Sequence, residues 1–328
     1  MHVAVLLSLG LNGPPLLPRR GVITTGAALL AARPELGRAA QSNDDLPEFW
    51  KGRLSGAPPP KPGVFLRDAP PVVVLPGFGN DRIDYIAPNG CPPEVGLVAA
   101  MERRGCRGVT VVPIARSQWL NVAKGLQDPA FLAGEGAPEG AAYAWYIESA
   151  KQTVESVALA GQRAVLVGHS AGGWLARALC AVAGDAWAKE HVRGIVTLGA
   201  PHASPPPGVA DQTRGTIANI NKRAPGAWLT SEGIFYVTVG SKKVVGSKQG
   251  DASAAKAFTS YNLVLGEGEG VAGDGFVPFE CAMLNGATQV ILDCFHSGGS
   301  ADPWPKDDWY GSGECNSVST GAPVKRQP

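Results

Sequence analysis

The chain has 328 residues, 45% of them hydrophobic and 17% charged, with a formal net charge of +1. That suits one large globular domain with extensions, or two small ones, and the near-neutral balance gives no ground for a nucleic-acid partner. No apolar run reaches the ~18 residues that a membrane-crossing helix requires, so no transmembrane segment is expected.

The first 41 residues read as a leader. Arg19, Arg20, Arg33 and Arg38 are set against a single acid, Glu35, which is the charge bias of a plastid or mitochondrial transit peptide. Arg19-Arg20 precedes a short apolar run, and small residues follow near Arg38. That resembles a twin-arginine export signal carried inside a transit peptide, as in thylakoid-lumen proteins. The expected location is therefore the chloroplast, in the stroma, in the lumen or at a thylakoid membrane surface. Residues 42–70 mix acids, prolines and glycines and read as a linker. Residues 71–300 read as the folded domain.

Pro71–Pro76 is short, β-branched and fully apolar, the mark of a central parallel strand. It ends in Gly77-Phe78-Gly79-Asn80. A helix is predicted over Pro92–Arg104 and a strand over Gly108–Ile114. Ala115–Gly140 reads as a loop-rich insertion. Tyr143, Ile147, Ala150, Val154 and Val157 recur at steps of four and three, which predicts a helix from Ala141 to Leu159. The strand Ala164–Val167 leads to Gly168-His169-Ser170-Ala171-Gly172 and a second helix. Val192–Leu198 is the next strand, followed by Gly199-Ala200-Pro201-His202. Residues 203–233 read as a cap segment with a short helix near Gln212–Lys222. Ile234–Val239 and Gln289–Phe295 are the last strands, and residues 301–328 read as a loosely ordered tail. Alternating strands and helices predict an α/β fold with a mainly parallel sheet, whose chemistry sits at the carboxyl ends of strands.

Gly168 to Gly172 is G-x-S-x-G between a strand and a helix, the signature of a nucleophile elbow. An ordinary turn whose serine caps the helix would read the same way. A serine hydroxyl needs a base, and the base needs a third group to orient it. On an elbow of this type the chain order is serine, acid, histidine. Of the five histidines, His2 lies in the leader, His169 adjoins the serine and His191 precedes a strand. His202 has no strand-end acid between it and Ser170. His296, after the last strand, obeys the order. Asp274, flanked by Gly273 and Gly275, is the preferred acid; a turn aspartate bonding its own backbone is the bland alternative. Asp251 is the rival. Asp293 is too close to His296 along its strand, and Asp211 falls too early. The oxyanion donors are expected to be the backbone N–H of Ala171 and of Phe78, with Gly79 next in line. No cofactor or metal is required, because the six cysteines show neither C-x-x-C nor zinc spacing. They read as buried thiols, or as one bridge with Cys281–Cys294 the nearest late pair.

With these residues placed, the stretches P-G-F-G-N, G-H-S-A-G-G-W-L-A-R, V-T-L-G-A-P-H, G-D-G-F-V-P and F-H-S together resemble a serine α/β-hydrolase of the lipase/esterase type. With Arg116–Val122 and Asp211–Gly215, the chain is similar to the lipase-like hydrolases of cyanobacteria and plastids, galactolipid lipases among them. It departs from many of them in carrying Ala rather than Thr or Ser before Pro201-His202. The resemblance implies acyl-ester hydrolysis on glycerolipids and peripheral contact with a plastid membrane. Trp119, Leu120 and His169 are expected near the substrate; Trp228 and Leu229 either line an acyl groove or pack within the cap. A small-ester esterase or thioesterase, an acyltransferase and a non-catalytic binding protein are the rival readings.

Overall fold

The computed structural model describes residues 69–103, 105–158, 162–299, 302–305 and 308–311. The leader and the linker up to residue 68 lie outside the described residues. The main sheet is built from β1 (Pro71–Leu75), β2 (Arg107–Val111), β3 (Ala164–His169), β4 (Val192–Leu198), β5 (Phe235–Ser241) and β8 (Thr288–Leu292). Its order is β2-β1-β3-β4-β5-β8, and every neighbouring pair is parallel. The short β6 (Val244–Val245) and β7 (Ala272–Gly273) form a separate antiparallel ribbon.

The sequence of β1 explains its central place. All five residues of Pro-Val-Val-Val-Leu are buried, as a strand covered on both faces requires. Alternation then divides them. Val73 and Leu75 pack with Leu166, Ile195 and the helices on one face, while Val72 and Val74 pack with Val165, Val167, Leu97 and Met101 on the other. Leu75 pairs with Gly168, His169 with Leu198, and Leu198 with Val239. The carboxyl ends of β1, β3, β4 and β5 are therefore level, and the loops leaving them meet at one edge.

The helices are α1 (Ile83–Ile86), α2 (Leu97–Arg103), α3 (Pro129–Ala133), α4 (Ala144–Val157), α5 (Ala171–Ala183), α6 (Asp185–His191), α7 (Thr216–Arg223) and α8 (Ala252–Leu265). Several boundaries differ from expectation. The helix predicted from Pro92 is a 3-10 turn, Pro93–Val95, then α2, because Gly96 is extended between them. A side chain on Gly96 would collide with the Ile86 carbonyl. The insertion after β2 is not loop-rich: residues Arg116–Gln127 form a 3-10 run, and Asp128 caps α3 by accepting from Ala130. α6 and α8 carry no strong periodic signal and were not anticipated. Asp251, the rival acid, is the N-cap of α8.

The tail expectation fails for its described part. Trp304, Trp309 and Tyr310 are 4%, 3% and 0% exposed. Asp308 accepts from the Phe295 N–H, and Trp309 bridges Phe295 in parallel. Aromatic side chains bury roughly 150–250 Å² each, and at ~25 cal/mol per Å² such burial holds the segment by several kcal/mol. Nor do Cys281 and Cys294 bridge each other: both are buried thiols, as are Cys106 and Cys180. Cys91 is disulfide-bonded.

Candidate active site

The elbow comes first. Ser170 has φ 51° and ψ −125°, a backbone state that non-glycine residues rarely adopt and that stores about 1–3 kcal/mol of strain. Its own N–H donates to the Leu198 carbonyl, which ties the turn to β4. The turn closes only with glycine two residues to either side. A Cβ on Gly168 would sit 2.4 Å from the Gly172 carbonyl oxygen, and one on Gly172 would sit 2.1 Å from that of Leu75. Gly172 and Gly173 also open α5, whose first N–H, that of Ala171, has no acceptor within the helix. The dipole of the thirteen-residue α5 favours an anion there.

Asp274 sits on the turn between β7 and Pro278. Its Oδ1 accepts from the Phe276 and Val277 N–H groups, at 3.0 and 2.7 Å. Its Oδ2 accepts from His296 Nδ1 at 2.8 Å. The turn-aspartate bonds thus fall on Oδ1 and the histidine contact on Oδ2, so the two readings of Asp274 do not compete for one oxygen. Asp274 is 1% exposed and His296 6%. A carboxylate only accepts, so His296 presents a proton on Nδ1 to it, and in the neutral ring Nε2 is then the acceptor. That tautomer is the one a general base for serine requires. The backbone matches: the His296 N–H donates to the Asp274 carbonyl at 2.9 Å. The acid does not leave the main sheet directly, as expected for a strand-end residue, but follows the small β6–β7 ribbon.

A second chain of hydrogen bonds binds the elbow to the loop after β1. The Gly77 N–H donates to the Tyr85 hydroxyl at 2.8 Å. That hydroxyl lies 2.8 Å from His169 Nδ1, and His169 Nε2 lies 2.9 Å from the His296 carbonyl oxygen. A carbonyl cannot donate, so Nε2 carries the proton, Nδ1 accepts, and Tyr85 is the donor to it. Burial and the neighbouring His296 push the His169 pKa down to about 3, so the ring is neutral. His169, expected near the substrate, is 1% exposed and joins the loop after β1, the elbow and the His296 backbone. With the Gly77 N–H engaged, the next one along, that of Phe78, has no acceptor among the described residues. The Tyr146 hydroxyl donates to the Pro76 carbonyl and steadies the same loop.

The outer rim differs from expectation. Trp119 is 2% exposed, its ring set among Phe78, Trp145 and Tyr146, with its indole N–H donating to the Asn80 carbonyl. It backs the rim and does not line it. Leu229 is likewise core, at 2%. Leu120 and Phe78 are exposed, at 54% and 42%, as is Ile83. A cavity of about 720 Å³ adjoins Phe78; Asn80, Asp84, Arg116, Ser297 and Trp309 also line it. Arg116 pairs with Asp84 at 2.6 Å on its wall.

Beside the elbow helix lies a buried cation. Arg177 is fully buried with no carboxylate against it among the described residues, and burial lowers its pKa to about 10. It donates to Asn221 and to the Ala224 carbonyl, and its Nη1 lies 3.4 Å from His202 Nδ1. His202 in turn contacts Thr197 at 3.0 Å. His202 is therefore a packing histidine that anchors α7 beside α5. Sequence reasoning missed Tyr85, Arg177 and Tyr310. The last donates to Asp274 Oδ2 at 3.1 Å. Its only sequence signal was an aromatic pair, Trp309-Tyr310, in an otherwise polar tail.

Residues 143–247 match the family model of the PGAP1-like alpha/beta domain. No curated protein matches the chain. Among solved structures, the Bacillus licheniformis lipase BlEst2 in mature form is similar at 12% identity over 71% of this chain and 87% of that one, with a TM-score of 0.41. Its propeptide form is similar at 15% over 71% and 47%, with a TM-score of 0.43. The metagenomic carboxyl esterase MGS0156 is similar at 12% over 76% and 74%, with a TM-score of 0.43. A six-stranded parallel sheet, a strained serine between β3 and α5, and an acid and a histidine that follow it in the chain and meet at the same sheet edge make this chain an α/β-hydrolase in fold.

Proposed function

We propose that the protein is a serine carboxylic-ester hydrolase acting on acyl lipids, with Ser170 as nucleophile, His296 as general base and then acid, and Asp274 orienting the imidazole. The observation that carries this is a strained Ser170 on the elbow together with a buried His296–Asp274 couple in which Nδ1 faces the carboxylate at 2.8 Å. In the first half-reaction Ser170 Oγ bonds to the ester carbonyl carbon while its proton passes to His296 Nε2. The oxyanion receives the Phe78 and Ala171 N–H groups. The intermediate collapses, the C–O bond to the alcohol breaks, and His296 returns the proton to the leaving oxygen. Water then repeats the sequence on the acyl-enzyme and frees the acid. Besides the ester and water, the steps use groups of the chain itself.

The lipid reading draws support from the rim. Phe78 and Ile83 are exposed apolar side chains that line a cavity with polar walls. An acyl chain and a polar headgroup both find suitable surface there. No helix among the described residues is long and apolar enough to cross a membrane. The plastid assignment rests on the resemblance and on the basic leader, and a disulfide at Cys91 fits an oxidising compartment. Fusion of residues 1–41 to a fluorescent protein tests it: fluorescence confined to the cytosol removes the plastid claim.

Purified protein given plastid lipid extract should release fatty acids, and Ser170→Ala should release none. Fluorophosphonate should label the wild type alone. Labelling with turnover only of short water-soluble esters favours the small-ester reading. No labelling at all sinks the hydrolase.

A further inference from the structure

Asp274 Oδ2 accepts two hydrogen bonds, not one. His296 Nδ1 lies at 2.8 Å, and the Tyr310 hydroxyl lies at 3.1 Å from the same oxygen. Tyr310 is 0% exposed, and its ring sits edge-on to that of His296 at a centroid distance of 6.3 Å. It comes from the far end of the described chain, held against Phe295 by the Trp309 bridge. A Cβ placed on Gly199, at the end of β4, would lie 2.5 Å from both Asp274 Oδ2 and the Tyr310 ring. The three groups therefore form one contact with β4 as its floor.

We infer that Tyr310 is a positioning residue for the Asp274–His296 pair: its hydroxyl locks Oδ2 against rotation and shares its charge. A carboxylate oxygen that accepts a second donor offers less negative charge to the first. The imidazolium formed during catalysis is then stabilised less than Asp274 alone would stabilise it, and His296 gives its proton up to the leaving group more readily. The remaining groups around the pair do not compete for that oxygen. The Phe276 and Val277 N–H groups take Oδ1. Tyr261 donates to the Val244 carbonyl and accepts from Gly275. His169 presents its proton to the His296 carbonyl. Lys256 lies over the Phe276 and Trp304 rings and is paired with Asp302.

This rests on reading Asp274 and His296 as an acid–base pair, so the test uses no ester. In the full chain, the His296 imidazole is titrated by nitrogen-resolved NMR in wild type, in Tyr310→Phe and with a difluorotyrosine placed at position 310 alone. Loss of the hydroxyl should raise the imidazole pKa by about half a unit, and the more acidic fluorophenol should lower it. The pH midpoint of Ser170 labelling by fluorophosphonate should move with it, up in Tyr310→Phe and down in the fluorinated variant. The fluorinated variant keeps the ring and so covers the case in which Tyr310→Phe does not fold. A His296 titration that is the same in every folded variant overturns the inference, and so do shifts of the same sign in both. Failure of ester turnover in the wild type would remove the hydrolase reading while leaving this result standing.

Discussion

Tyr85→Phe removes one oxygen from the interior and should be felt at two places. The Tyr85 ring is 0% exposed, and its hydroxyl accepts from the Gly77 N–H and donates to His169 Nδ1, both at 2.8 Å. The phenylalanine fills the same space but leaves a buried N–H and a buried ring nitrogen without partners. Each such group costs ~1–3 kcal/mol, so the loss of stability should be roughly 2–6 kcal/mol. For a domain of this size that is about 5–15 °C in Tm. Activity should fall as well. The Gly77 N–H is then free to turn, and the adjoining Phe78 N–H loses its aim at the oxyanion. Removing an oxyanion donor outright costs about 10²–10³ in kcat, so a misaimed donor should cost ~10–100-fold with KM little changed. Urea unfolding and steady-state kinetics on a soluble ester measure both. A variant within ~0.5 kcal/mol of wild type and equal to it in kcat would refute the relay through Tyr85 and His169.

Three further outcomes are expected. Ser170→Gly relieves the positive-φ strain and should stabilise the fold by about 1 kcal/mol while abolishing fluorophosphonate labelling; a destabilised variant would show that the elbow is not strained. Gly199→Ala drives a methyl against Asp274, Tyr310 and His296 at a φ of +55°, and should cut kcat by more than tenfold and lower Tm; unchanged kinetics would mean the triad tolerates displacement. Finally, His169 and His202 are buried and neutral, both held below the ordinary histidine value of 6.5, chiefly by burial. The unfolded chain binds protons there that the folded chain does not. Stability is thus complete above about pH 6.5 and is lost as pH falls below it, by ~1.4 kcal/mol per histidine per pH unit, or about 4 kcal/mol for the two by pH 5. Urea midpoints that agree at pH 7 and pH 5 would contradict this.

Much of the site was legible because its constraints are local. The tight turn at Ser170 demands small residues at 168 and 172, and glycine stands in both places. Chain order, a property of topology, selected His296 and Asp274 without any distance. Trp119 and His169 misled for a shared reason. An aromatic or an imidazole beside a site reads as a ligand group, yet burial is decided by what packs over it, and here that is Phe78, Trp145 and Tyr146 for the one and Tyr85, Trp309 and Tyr310 for the other.

Period-two and period-3.6 patterns, glycine at forced turns and the order of serine, acid and base are written along the chain, because each depends on neighbours in sequence. They determined the parallel sheet and the elbow, and they selected Ser170, Asp274 and His296 as the candidate triad. Which proton His296 carries, which N–H remains for an oxyanion and which residues hold the acid depend on groups distant in sequence. Tyr85 meets His169 across 84 positions, and Tyr310 meets Asp274 across 36. Only the folded chain brings such partners within hydrogen-bond range, so the tertiary structure alone decided the tautomers and the second donor to Asp274.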